Sequence, residues 1–118
     1  MDKQRAKELL RLERERIESA LEDASAGARR EAEIQSQQPG ERNETGTPMA
    51  AAEMSEGLIP QLMEQLEALL RAEERLAAGT YGLSVESGKP IQYDRLEANP
   101  LAERTIEEQE RYERLGGA

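Results

Sequence analysis

The chain is 118 residues long and 35% charged, with 25 acidic and 16 basic side chains and a net charge of −9. Aromatic residues make up 3% and neither Phe nor Trp occurs, which excludes a large globular core and fits long helices paired along a seam. The acidic balance argues against general binding of phosphate backbones, no apolar run reaches the ~18 residues of a membrane span, and MDKQRAKELLRLERER has no apolar signal core, so a cytoplasmic location is expected.

Residues 2 to about 35 are predicted to form the first helix. Ala6, Leu10, Ile17, Leu21, Ala24 and Ala28 recur at helical intervals and draw one apolar stripe. Glu13 and Arg14 interrupt that stripe, and beyond Leu21 it turns to alanine. The dense charge elsewhere reads as a solvated face with Glu–Arg pairs three and four apart.

Residues 36 to 47, SQQPGERNETGT, are predicted to be a turn, because Pro39-Gly40 and Gly46 break the helix. Glu41 and Glu44 lie in it, and on composition alone they are solvated carboxylates. Thr47-Pro48 then opens a second helix that runs to Ala78, a capping residue followed by a preorganised first position. Ile59, Leu62, Leu66, Leu69 and Leu76 form its seam, with Met63, Leu70 and Ala77 alongside and Glu73 in one slot. Pro60 is expected to kink this helix or to mark a second start. Two such helices joined by a turn of about a dozen residues pack antiparallel.

Gly79 closes the second helix as a C-cap glycine does. Two polar pairs follow, Ser84/Ser87 and Thr105/Glu108, each at the C-x-x-C interval and separated by a loop that lets four ligands converge. Yet the chain has no Cys and no His. Asn99-Pro100 is predicted to start a third helix running to about Leu115, with Leu101, Ile106 and Tyr112 facing the hairpin base. Leu83, Val85, Ile91, Tyr93, Leu96, Leu101 and Ile106 are the candidates for a small apolar cluster.

Gly79-Thr80-Tyr81-Gly82, Ser84-x-x-Ser87-Gly88-x-Pro90-Ile91, Arg95-Leu96-Glu97-Ala98-x-Pro100 and Thr105-x-x-Glu108-Gln109 together resemble one family. This is the DksA/TraR family of bacterial transcription factors, whose pattern is G-T-Y-G-x-C-x-x-C-G-x-x-I, R-L-E-A-x-P and C-x-x-C-Q. All four cysteine positions are replaced here, by Ser84, Ser87, Thr105 and Glu108. Neutral hydroxyls are poor zinc ligands and a single carboxylate does not make a structural site, so zinc is expected to be absent. Glu108 would instead accept hydrogen bonds from the Ser84 and Ser87 hydroxyls or from nearby loop amides.

The resemblance also implies a function. Family members resemble the Gre-type cleavage factors in placing a helical hairpin in the secondary channel of RNA polymerase. An acidic tip approaches the catalytic magnesium, in some members together with ppGpp. Counting back from Ser84 without gaps, that tip pair falls on Glu41 and Glu44, and Gly46 stands where the family has alanine. Lys89, Arg95 and Arg104 are candidates for contacting polymerase or an anionic ligand.

The expected fold is mainly α: an antiparallel two-helix coiled-coil hairpin over 1–78, then a zinc-finger-like knuckle and C-terminal helix over 79–118. The expected function is that of a transcription regulator binding bacterial RNA polymerase through its acidic tip, with ppGpp a candidate effector. No nucleophile–base pair or phosphate loop points to an enzyme. No basic helix points to sequence-specific DNA binding. The competing reading is a metal-free structural or interaction module that self-associates or pairs with another protein through Leu62, Leu66 and Leu69.

Overall fold

The computed structural model describes the backbone of residues 1–37 and 47–117, and the side chains of 1–34 and 57–117. It is mainly helical, with α1 at Lys3–Gln37, α2 at Thr47–Ala78, α3 at Tyr93–Ala98 and α4 at Ile106–Arg114. None of these helices is long and apolar enough to cross a membrane, among the described residues. The chain divides into two compact units, one of Met1–Arg14 with Glu67–Ala118 and one of Glu15–Leu66.

In the first unit the start of α1 lies against the end of α2. Ala6, Leu9 and Leu10 are buried on one helix, Leu69 and Ala72 on the other. Ala6 lines a shared hollow with Leu76, Ala77, Ala78 and Gly79. Two turns along α1, Arg14 meets Glu73, with Nη2–Oε1 at 2.6 Å and Nε–Oε2 at 3.1 Å. The two helices therefore run antiparallel. Arg14, in the interruption of the α1 stripe, thus faces Glu73, in the charged slot of the α2 seam.

In the second unit, Ile17 and Ala24 of α1 and Leu62 of α2 are buried. Arg16 donates to Gln65 Oε1 at 2.8 Å. Met63 is 45% exposed, so it lies outside the seam, as does Leu70 at the same exposure in the first unit. Pro60 sits on an exposed face inside an unbroken α2 and marks no second start.

Gly79 ends α2 in the left-handed region at φ 80°, and the Thr80 amide donates back to the Arg75 carbonyl at 2.8 Å. The chain then makes a tight knuckle. The Ser84 amide donates to the Lys89 carbonyl at 2.8 Å, and the Ile91 amide to that of Gly82 at 2.8 Å. Leu83 and Pro90 form an isolated antiparallel bridge. Gly82 is favoured here because its φ of 88° lies in the left-handed region.

The third predicted helix differs in two ways. A short helix, α3, precedes it, formed by the Arg95-Leu96-Glu97-Ala98 stretch that the sequence reading left without an element. Asn99-Pro100 ends α3 rather than starting a helix: the Asn99 amide donates to the Arg95 carbonyl at 2.8 Å, and Asn99 Oδ1 accepts from the Leu101 amide at 3.3 Å. The true start is Thr105, whose side chain caps α4.

The knuckle core is smaller than the predicted cluster. Ile91, Leu96 and Ala102 are buried, with Tyr81 packed against them. Leu83, Val85, Tyr93 and Ile106 are exposed, and Leu101 is half-buried. Ile106 accordingly does not face the hairpin base. The Tyr81 hydroxyl donates to the Pro100 carbonyl at 2.8 Å, and burial pushes its pKa up to about 12. Tyr112 lies under the Arg104 guanidinium, 3.8 Å from the ring centroid.

Candidate functional site

Ser84, Ser87, Thr105 and Glu108 come together at the closure of the knuckle. Ser84 follows the buried Gly82 turn and is itself buried, 5% exposed. Its hydroxyl oxygen accepts from the amides of Glu86 at 3.0 Å and Ser87 at 3.2 Å. Ser87 Oγ accepts from the Lys89 amide at 3.2 Å. These bonds hold the 84–89 turn from its inside, in the manner of a serine turn.

The other half is a capping box. The Thr105 side chain accepts from the Glu108 amide at 3.2 Å, and Glu108 Oε1 accepts from the Thr105 amide at 2.9 Å. Thr-x-x-Glu is the sequence form of this motif. Glu108 is 7% exposed, yet it stays ionised. The Ser84 and Ser87 hydroxyls donate to it, then the Thr105 amide, and together they bring its pKa down to about 2 against the desolvation of the site. One carboxylate thus gathers the 84–87 turn onto the first turn of α4.

A second set of contacts, which the sequence reading missed, fastens the knuckle to the hairpin base within the same compact unit. Arg5 of α1 grips Glu97 of α3 through two bonds of 2.9 Å. Arg71 of α2 grips Glu103 at 3.0 and 3.1 Å, and Arg75 adds a third bond at 3.1 Å. The arginine partners hold both carboxyls below the usual range. Glu97 lies in the Arg-Leu-Glu-Ala motif, so the motif itself was the available signal.

The basic candidates divide. Arg95 Nε donates to the Arg104 carbonyl at 2.9 Å, and Arg104 Nε to Glu86 at 2.6 Å, so both hold the knuckle together. Lys89 is exposed. Glu41 and Glu44, the tip candidates, lie outside the described residues.

Residues 79–114 match the family model of the prokaryotic dksA/traR C4-type zinc finger. General stress protein 16O of Bacillus subtilis (strain 168) is 46% identical over 46 residues, 39% of this chain and 28% of that protein. The RNA polymerase-binding transcription factor DksA of Caulobacter vibrioides is 43% identical over 54 residues, 46% of this chain and 36% of its own length. These matches therefore span about a third of the curated relatives. The fold as a whole is similar to transcription factor DksA2 from Pseudomonas aeruginosa, with a TM-score of 0.79 and 25% identity over 98% of this chain and 86% of that one.

The expectation that zinc is absent is corrected by the first of these findings: the matched model is a C4-type zinc finger, which points to zinc binding. That expectation rested on ligand chemistry alone, whereas the match reads the whole frame. The four side chains themselves do not fit a tetrathiolate site. Three are hydroxyls whose lone pairs take backbone amides, and the one carboxylate is a helix cap. Among the described residues no three His, Cys, Asp or Glu side chains are gathered around one point.

Proposed function

The chain belongs to the DksA/TraR family, and we propose that it is a regulatory binding protein for bacterial RNA polymerase, with no catalysis of its own. The observation that carries this reading is the likeness to a transcription factor over nearly the whole chain, hairpin and knuckle together. A curated relative named as RNA polymerase-binding supports the choice of partner. In this reading the hairpin over 1–78 enters the secondary channel and the knuckle over 79–118 stays at its mouth. Glu41 and Glu44 supply the acidic tip, where a carboxylate near a bound divalent cation alters its coordination or the adjoining loop. The protein then works in the cytoplasm beside polymerase, and ppGpp is a candidate co-effector.

The test is competition for bacterial RNA polymerase against a Gre-type factor that occupies the secondary channel. Wild type is run beside the Glu41→Ala/Glu44→Ala double variant. Displacement by both proteins, with altered initiation lost only in the variant, is the expected result. Displacement without any effect of wild type on initiation removes the role of the tip. Absence of displacement removes the channel reading altogether.

A further inference from the structure

Among the described residues, charged side chains interrupt the apolar seams of α1 and α2, and at one level the two helices bring opposite charges together. On α1 the interruption lies between Leu10 and Ile17, both buried. On α2 it lies between Leu69, buried, and Leu76, half-buried. Glu13 and Arg14 stand in the first gap and Glu73 in the second, and Arg14 meets Glu73 through two bonds, with side chains 35% and 34% exposed. A pair of apolar side chains at the same level would contribute as much packing without the cost of desolvating two charges. The pair is therefore a poor way to gain stability and a good way to choose a partner.

We propose that Arg14 and Glu73 form a specificity key that makes α1 and α2 of one chain each other's preferred partner and disfavours the pairing of like helices from two chains. If two copies of α2 paired in parallel register, Glu73 would face Glu73. If two copies of α1 did so, Arg14 would face Arg14. Antiparallel pairing of like helices would leave each charge against an apolar stripe. Each alternative strands a partly buried charge or opposes two of one sign, and a polar residue at one seam position sets register and partner in coiled coils for this reason. A one-heptad slip of α1 along α2 separates the pair in the same way. Leu58, Met63 and Leu70 leave exposed apolar surface on α2, so the key acts where discrimination is needed.

The experiment compares wild type, Arg14→Leu/Glu73→Leu and the exchanged pair Arg14→Glu/Glu73→Arg by sedimentation over a range of concentrations, with circular dichroism and thermal melting alongside. The apolar double variant is expected to keep its helicity, to melt no lower than wild type, and to self-associate at least about tenfold more tightly. The exchanged pair is expected to sediment as wild type does. An apolar double variant that associates no more than wild type overturns the proposal. So does an exchanged pair that self-associates more tightly than wild type, and this second result stands even if the apolar variant fails to fold.

Discussion

At the hairpin base, buried apolar side chains such as Leu10 and Leu69 do the holding, and the Arg14–Glu73 ion pair lies among them. In the knuckle the proportions reverse: Ile91, Leu96 and Ala102 fill a small core, while Ser84, Thr105 and Glu108 are buried with their polar atoms paired. Apolar burial is non-directional and answers mainly to volume. Hydrogen bonds answer to donor, acceptor and angle. The hairpin should accordingly tolerate changes of identity that keep size, whereas the knuckle should tolerate changes of size at its surface but not changes of donor at its closure.

Leu69→Ala tests the hairpin half of that contrast and should have the largest effect, about 4 kcal/mol, because the side chain is fully buried. Urea unfolding followed by helix circular dichroism and by tyrosine fluorescence separates the regions, since Tyr81, Tyr93 and Tyr112 all lie in the knuckle. A single shared transition is expected, because Leu69 belongs to the compact unit that contains the knuckle. Leu96→Ala should cost about 2–3 kcal/mol in a core with few neighbours, again with the tyrosine and helix signals moving together, since Leu96 belongs to the same compact unit.

Acid should come next and should act on the knuckle. Glu108 has its carboxyl lowered to about 2 from 4.5, and Glu97 and Glu103 are lowered in the same direction. A carboxyl lowered by folding contributes stability above its unfolded pKa and loses it as pH falls. The thermal midpoint should therefore hold above about pH 5 and drop between the two values given for Glu108, and Glu108→Gln should flatten that drop. Thr105→Val keeps the shape but removes the cap acceptor, for a loss of about 1 kcal/mol at pH 7 in urea titration. Arg71→Ala should cost less than about 1 kcal/mol, since the pair is half in water and Arg75 still holds Glu103, and added salt should erase the difference from wild type. A knuckle indifferent to both Thr105→Val and acid would break the comparison.

The two long helices were legible because their stripes repeat over many turns, and a long repeat survives the noise of single residues. The six-residue α3 has no room for a repeat, so its periodicity carried no signal. Asn99-Pro100 misled because Asn followed by Pro serves equally at the start of a helix and at the end of one. The decisive motif for α4 was present all along. Thr105-x-x-Glu108 has the interval of a ligand pair and also that of a capping box, and the first reading hid the second. Pro60 lies on an exposed face, where the helix carries past it. The arginine clamps on Glu97 and Glu103 join residues far apart in sequence, and no local pattern announces such pairs.

The capping box at Thr105 and Glu108 has a consequence for the history open to this protein. Each of the four closure positions has work that a thiol does badly: accepting amides at Ser84 and Ser87, capping a helix at Thr105, gathering three partners at Glu108. A single replacement by cysteine weakens such a contact at once, while one thiol alone does not complete a four-ligand zinc site. Successive single mutations toward four cysteines thus descend before they climb. The polar closure is therefore self-sufficient, and cysteines introduced one at a time would each weaken it.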